Sequence, residues 1–187
     1  KRIGVFMQVA MTDEGLSKAD LSGVTIYDVE KKSLAAIADE VEQKVMAVRQ
    51  RKDPALEKSR GLFRWIPFLM LNLALKLISF VVTTLNVTLP GVPRDPFGSV
   101  MITNIGTLGL DVAYVPLVHY SDVPLLLATG AVIEQPVVED GQIKVGKVMK
   151  ISATFDHRLI DGFHASVMSK VLHRCLEDPF NNFDPVD

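Results

Sequence analysis

One cysteine, one tryptophan and four histidines in 187 residues leave little material for several kinds of chemistry. Cys175 alone can form neither an intramolecular disulfide nor a cysteine-rich metal site, which argues against a disulfide-stapled secreted scaffold. Within a helical pattern near the end of the chain, it reads as a small core residue and not a nucleophile. His119, His157, His164 and His173 are scattered, with no cysteine or paired-carboxylate spacing beside them, so no metal is expected. A formal net charge of -2 provides no basic surface for nucleic acid. The first apolar run, residues 3–11, is interrupted by Gln8 and is too short for a secretory signal. The chain begins at Lys1 and reads as a fragment or a processed end that enters directly into a strand. The expected compartment is the cytoplasm, or the mitochondrial matrix in a eukaryote.

What is present suits a globular domain: 48% apolar and 22% charged residues, in a length sufficient for one sizeable core. Residues 3–11 (IGVFMQVAM) read as a buried strand, 12–23 as a loop and 24–27 (VTIY) as a short strand. Ser33 is a helix N-cap. Leu34, Ile37, Val41, Val45 and Val48 then recur at helical spacing to about Lys52, where Asp53-Pro54 stops the helix. From Phe97 the pattern is β-rich. Strands are expected at 99–105 and 125–133, and a hairpin at 136–155 turns at Asp140-Gly141. A final helix runs from about Gly162 to Glu177, carrying Phe163, Val167, Met168, Val171, Leu172 and Cys175 on its apolar positions.

The segment 152–165, SATFDHRLIDGFHA, holds the chemistry. A strand ends in a histidine, and an aspartate follows four residues later, before a glycine and a helix. A histidine at a strand end is presented by a rigid scaffold, and an imidazole that titrates near neutral pH can accept a proton from a thiol. Asp161 is placed to orient the local backbone, an arginine or a neighbouring loop. Gly162 permits a tight entry into the helix. His164 and His173 fall on that helix as surface or packing residues. His119, Tyr120, Ser121 and Asp122 form a polar loop, which either lines a substrate channel or is plain surface.

This segment resembles the DHRxxDG signature of the dihydrolipoyl acyltransferase core, the catalytic domain of 2-oxoacid dehydrogenase complexes. Chloramphenicol acetyltransferase belongs to the same superfamily and has a histidine where this chain has Asp156. FGSVMITNIGTLGLD is similar to the family's strand and turn. LLLATGAVIEQPVVEDGQIKVGKVMKISATFDHR is similar to the sheet leading to its motif, and MTDEGL followed by KKSLAAIADEV to its strand, GL turn and helix. The resemblance covers about residues 3–60 and 97–179. It implies an α/β fold: a chloramphenicol-acetyltransferase-like two-layer sandwich, a mixed β-sheet flanked by helices. It implies a catalytic set of His157, Asp161 and Thr103. His157 would be the general base for the thiol of coenzyme A or dihydrolipoamide, Thr103 the hydroxyl that stabilises the oxyanion and Asp161 a structural carboxylate acting through an ion pair. Asn104 and Gly106 match the following turn. Coenzyme A is implied as acyl-carrier substrate, and a lipoyl group on a separate domain or protein as acceptor. The implied partners are a homotrimer or larger assembly of trimers, with the site shared between subunits, and the 2-oxoacid dehydrogenase and dihydrolipoamide dehydrogenase components.

The sequence also departs from that family. Residues 1–187 read as one acyltransferase core domain lacking the family's N-terminal part and its lipoyl and subunit-binding domains. An apolar insertion, about 61–96, replaces a short connection. Within 61–89 the polar residues Asn72, Lys76, Ser79 and Thr83 form one narrow helical stripe. Three readings stay open for it: a helix packed inside the protein or its oligomer, an interfacial membrane helix, or a membrane span. The alternative function is accordingly a non-catalytic trimeric scaffold that uses residues 62–89 to bind partners or membrane.

Overall fold

The computed structural model describes residues 2–11, 20–50, 73, 76–78, 80–85, 87, 96–118 and 121–183. Among the described residues, five strands form one mixed sheet in the order β2-β1-β3-β4-β5: β1 Gly4–Met11, β2 Asp20–Tyr27, β3 Val100–Asn104, β4 Leu125–Glu139 and β5 Gln142–Phe155. β1 runs antiparallel to β2 and parallel to β3, β3 is parallel to β4, and β4 and β5 form an antiparallel hairpin. Among the described residues, α1 Leu34–Arg49, α2 Gly162–Glu177 and the short α3 Pro179–Asn182 accompany the sheet.

Pleat alternation assigns each strand residue to one of two faces. On one face Val9 of β1 and Val24 of β2 bury against Val48 of α1, with Met7 and Val45 at the margin. Ser33 caps α1 as its identity predicts, its hydroxyl accepting from the Ala36 amide at 3.3 Å. α3 lies beside the start of α1, where Asn181 and Phe183 share a cleft with Lys32 and Ile37. On the opposite face Phe6, Met101 and Leu126 stand in one row across β1, β3 and β4. Met101 and Leu126 bury there with Val123, under Phe97, Val115 and Leu117. The Phe6 ring meets Phe97 edge-on at 5.2 Å, and a side chain at Gly23 would strike it.

Two strands extend beyond their expected limits. β2 begins at Asp20, four residues before the apolar VTIY run; its partner in β1 carries the pairing back to Met11↔Asp20. β4 is continuous from Leu125 to Glu139, passing through Pro136. β3 accompanies β4 only as far as Thr129, so among the described residues most of the hairpin is a two-stranded arm with no strand paired on the other flank of β4, where a proline is tolerated. The turn at Asp140-Gly141 has φ of 53° and 75°, the pair of left-handed residues that a tight two-residue hairpin needs.

Of the apolar segment, Leu73, Lys76, Leu77 and Ile78 are helical, and Phe80–Thr84 form a π-helical turn. Leu73, Leu77 and Phe80 fall on one helical face and are exposed, while Val82 is buried. Of the polar stripe, Lys76 is described and exposed, while Asn72, Ser79 and the side chain of Thr83 lie outside the described residues. Among the described residues, no helix is long and apolar enough to cross a membrane.

The bulge in β4 between Thr129 and Val132 brings Gly130 against the loop after β3. A Cβ at Gly130 would lie 2.0 Å from the Asp111 carbonyl oxygen, whereas a Cβ at Gly141 would meet nothing within 4 Å. Gly130→Ala should therefore cost about 1–3 kcal/mol through overpacking, and Gly141→Ala about 1–2 kcal/mol through its positive φ. Urea unfolding of the two variants checks this. A Gly130→Ala protein as stable as the parent would rule out the close approach.

Candidate active site

β5 ends at Phe155 because the chain must turn there, and Asp156 makes the turn. Its amide donates to the Pro124 carbonyl at 2.8 Å, which ties the end of β5 to the start of β4. Its carbonyl then accepts from the amides of Leu159 and Ile160, each at 2.9 Å. His157 sits at the head of this turn and is exposed. Its ring lies 6.1 Å from that of Phe155, tilted by 38°.

Two carboxylates flank His157, and each is committed to geometry. Asp156 is gripped bidentately by Arg158, with Nη2 to Oδ2 at 2.6 Å and Nε to Oδ1 at 2.9 Å. This guanidinium, with the Arg158 amide donating as well, holds the Asp156 carboxyl down to about 2. Asp161 caps α2, its Oδ1 accepting from the His164 amide at 2.9 Å. The same Oδ1 lies 2.6 Å from His164 Nδ1. These bonds, the backbone amide foremost, hold the Asp161 carboxyl below its usual range. Among the described residues the side-chain partner of Asp161 is His164, and the arginine in this turn, Arg158, belongs to Asp156. His164 is correspondingly more than a bystander on α2. Sequence reasoning missed both pairings, although an aspartate two residues before a donor amide is a local turn signal.

Thr103 is buried on β3, on the face away from α1, with 9% of its surface exposed. Its row across the sheet contains Ala128 and Ser152. His157 is five positions beyond Ser152, and β4 lies between β3 and β5. At about 3.3 Å per residue and about 4.8 Å per strand, Thr103 and His157 are well over 10 Å apart within one chain. Asp161 and His157 share a turn; Thr103 does not join them. Behind Thr103, Asn104 Oδ1 accepts from the Thr107 amide at 3.3 Å, and Thr107 Oγ1 donates back to the Asn104 carbonyl at 3.0 Å. The chain then turns through Gly106–Leu108 and Gly109, whose φ is 76°. In the polar loop, the Ser121 hydroxyl donates to the Val118 carbonyl at 2.7 Å; His119 and Tyr120 lie outside the described residues. His173 lies 3.4 Å from Glu177 on α2, both exposed.

Residues 97–183 match the family model described as 2-oxoacid dehydrogenases acyltransferase (catalytic domain). Over these residues the chain is similar to that family. Curated proteins similar to the chain over part of its length carry names of the same kind. The lipoamide acyltransferase component of the branched-chain alpha-keto acid dehydrogenase complex from Pseudomonas putida is 36% identical over 81 residues, 43% of this chain and 19% of that protein. Among solved structures, the cubic core of a pyruvate dehydrogenase multienzyme complex superposes with a TM-score of 0.62 at 20% identity, over 96% of this chain and 55% of that one. The dihydrolipoamide acetyltransferase of Azotobacter vinelandii gives 0.60 at 20% identity over the same shares. The fold is thus that of these acyltransferase cores. The chain spans about a fifth of the curated relative and just over half of the solved chains.

The electrostatic arrangement generates a testable titration. The Asp156 carboxyl is depressed when folded, so the Arg158 pair contributes above the ordinary carboxylate range, near pH 4, and is lost as pH falls towards 2. A carboxyl carbon titration should place Asp156 near 2, and Arg158→Gln should move it up towards the ordinary value. An unshifted Asp156 in that variant would show that Arg158 does not hold it.

Proposed function

We propose that this chain is a catalytic domain that moves an acyl group between coenzyme A and a thiol such as that of dihydrolipoamide. The observation that carries the reading is the family match over 97–183, which includes the DHRLIDG turn at the end of β5. His157 takes the proton from the attacking thiol. The thiolate adds to the thioester carbonyl, and the tetrahedral intermediate collapses by expelling the other thiolate, which recovers the proton from the imidazolium. Thr103 donates its hydroxyl to the oxyanion, a contribution of roughly 3 kcal/mol for one such donor. Asp161 holds the start of α2 and, through it, the far end of the turn. The Azotobacter vinelandii enzyme supports the comparison, since a serine, a histidine and an asparagine of that protein have been investigated for roles in its catalytic mechanism. Its histidine and asparagine are four positions apart, the spacing of His157 and Asp161 here.

The separation of Thr103 from His157 favours a site assembled from two copies, in a trimer or a larger particle of trimers. The partners proposed for such a particle are the dehydrogenase components and a lipoyl-bearing domain. Coenzyme A and the lipoyl thiol act as substrates, and no protein-bound metal takes part in the proposed chemistry.

His157→Ala should lower acetyl transfer from acetyl-coenzyme A to dihydrolipoamide by roughly a hundredfold or more, with fold and assembly retained. Thr103→Ala should lower it by roughly the same factor. Co-refolding the two inactive variants should restore a measurable fraction of the activity, because mixed interfaces contain one intact hydroxyl and one intact imidazole. Normal turnover by folded His157→Ala would remove the base from the mechanism. Failure of the mixture to recover activity, or a stable monomer by light scattering, would defeat the shared site.

A further inference from the structure

The residue that governs the turn carrying His157 is its neighbour, Asp156. Only His157 lies between Asp156 and Arg158, and the Asp156 carboxylate closes a ring around it by accepting from the Arg158 amide at 3.0 Å. A turn closed in this way fixes the backbone of the enclosed residue. The Asp156 amide and carbonyl add three further bonds, to Pro124, Leu159 and Ile160. The carboxylate is drawn into the turn, with 17% of its side chain exposed, while its partner Arg158 stands outside at 81%.

The imidazole itself has no carboxylate of its own among the described residues. Asp161 is engaged with His164, and the ring neighbour of His157 is Phe155. The direction in which His157 points is consequently set by its backbone more than by any side chain that grips it. Asp156 is a poor candidate for the base: Oδ1 accepts from the Arg158 amide and Nε, and Oδ2 from Nε and Nη2.

We propose that Asp156 is a positioning residue for His157, closing the turn that aims the imidazole, and that Arg158 locks the Asp156 carboxylate in place. The proposal rests on reading His157 as the base. A proton acceptor must come within hydrogen-bond reach of the thiol, and a misplacement of about 1 Å can cost on the order of a hundredfold in rate. Asp156→Asn keeps an oxygen able to accept from the Arg158 amide, so the turn can still close. Asp156→Ala has no acceptor there.

The test uses the full chain in its native assembly, with two readouts. One is transfer from acetyl-coenzyme A to dihydrolipoamide, resolved into kcat and KM. The other is the amide and ring-nitrogen NMR signals of His157, which need no substrate. Asp156→Ala should lower kcat by about tenfold to a hundredfold with each KM within about twofold, and should shift or broaden the His157 signals. Asp156→Asn should recover most of the rate and near-parent signals, and Arg158→Gln should fall between the two. Wild-type kcat with unmoved His157 signals in folded Asp156→Ala overturns the proposal. So does an equal loss in Asp156→Ala and Asp156→Asn that tracks lost assembly, which is a purely structural role. If Asp156→Ala does not fold, unmoved His157 signals in Arg158→Gln overturn it. His157→Ala separates the two ideas. Full turnover in that variant defeats the base, and the positioning with it, whereas an inactive His157→Ala beside an unaffected Asp156→Ala defeats the positioning alone.

Discussion

The hydrogen-bond register of β3, β4 and β5 is the constraint on which the candidate site depends. Thr103, Ala128 and Ser152 share one row, and from that row β5 must run to Phe155 before the chain can turn to present His157. A slip of one residue between any two of these strands would move Thr103 or the approach to His157 to the other face. The parallel β3–β4 pair is short, covering Val100–Asn104, yet it places the hydroxyl. The long β4–β5 hairpin places the histidine. Because the pairings run to different ends of the sheet, one chain presents the two groups at separate places. The proposed site would draw them from two copies.

Around His157 the chain spends its charges on shape. Asp156 and Asp161 lie one residue before and four after the histidine, and each ends a regular element: Asp156 stops β5, and Asp161 starts α2. Their cationic or hydrogen-bonding partners, Arg158 and His164, come from within three residues. The turn is thus assembled from local interactions that form as soon as β5 is in place. It leaves the imidazole exposed and, among the described residues, without a carboxylate partner, which suits the role proposed for it.

Much of this was legible in the sequence where a local rule decides the outcome. Ser33 before an amphipathic run gave the cap of α1, Asp140-Gly141 gave the hairpin turn, and Asp161-Gly162 gave the start of α2. What was not legible was decided by partners distant in sequence. Nothing in DLSG marks a strand; Asp20–Gly23 is one because β1 lies beside it. Pro136 reads as a breaker, and the flank of β4 with no strand paired among the described residues makes it harmless. The pairings of Asp161 with His164 and of Asp156 with Arg158 are local, but several partners of similar spacing compete, and composition does not choose among them. The MTDEGL stretch beyond Met11 and most of the polar stripe fall outside the described residues.

The parallel pairing of β1 with β3 has a further consequence for how the chain tolerates change. Val5 lies opposite Val100, so the fold joins residues 95 positions apart (100 − 5). Loop-closure entropy grows only with the logarithm of length, and doubling such a connection costs about 0.6 kcal/mol. By that entropy alone, a longer connection between β1 and β3 would weaken their pairing little. The penalty falls on kinetics instead, since the β4–β5 hairpin closes through a two-residue turn while β1 must wait for a contact across half the chain. In the same terms, a longer connection prolongs the time during which the edge of β3 stands unpaired.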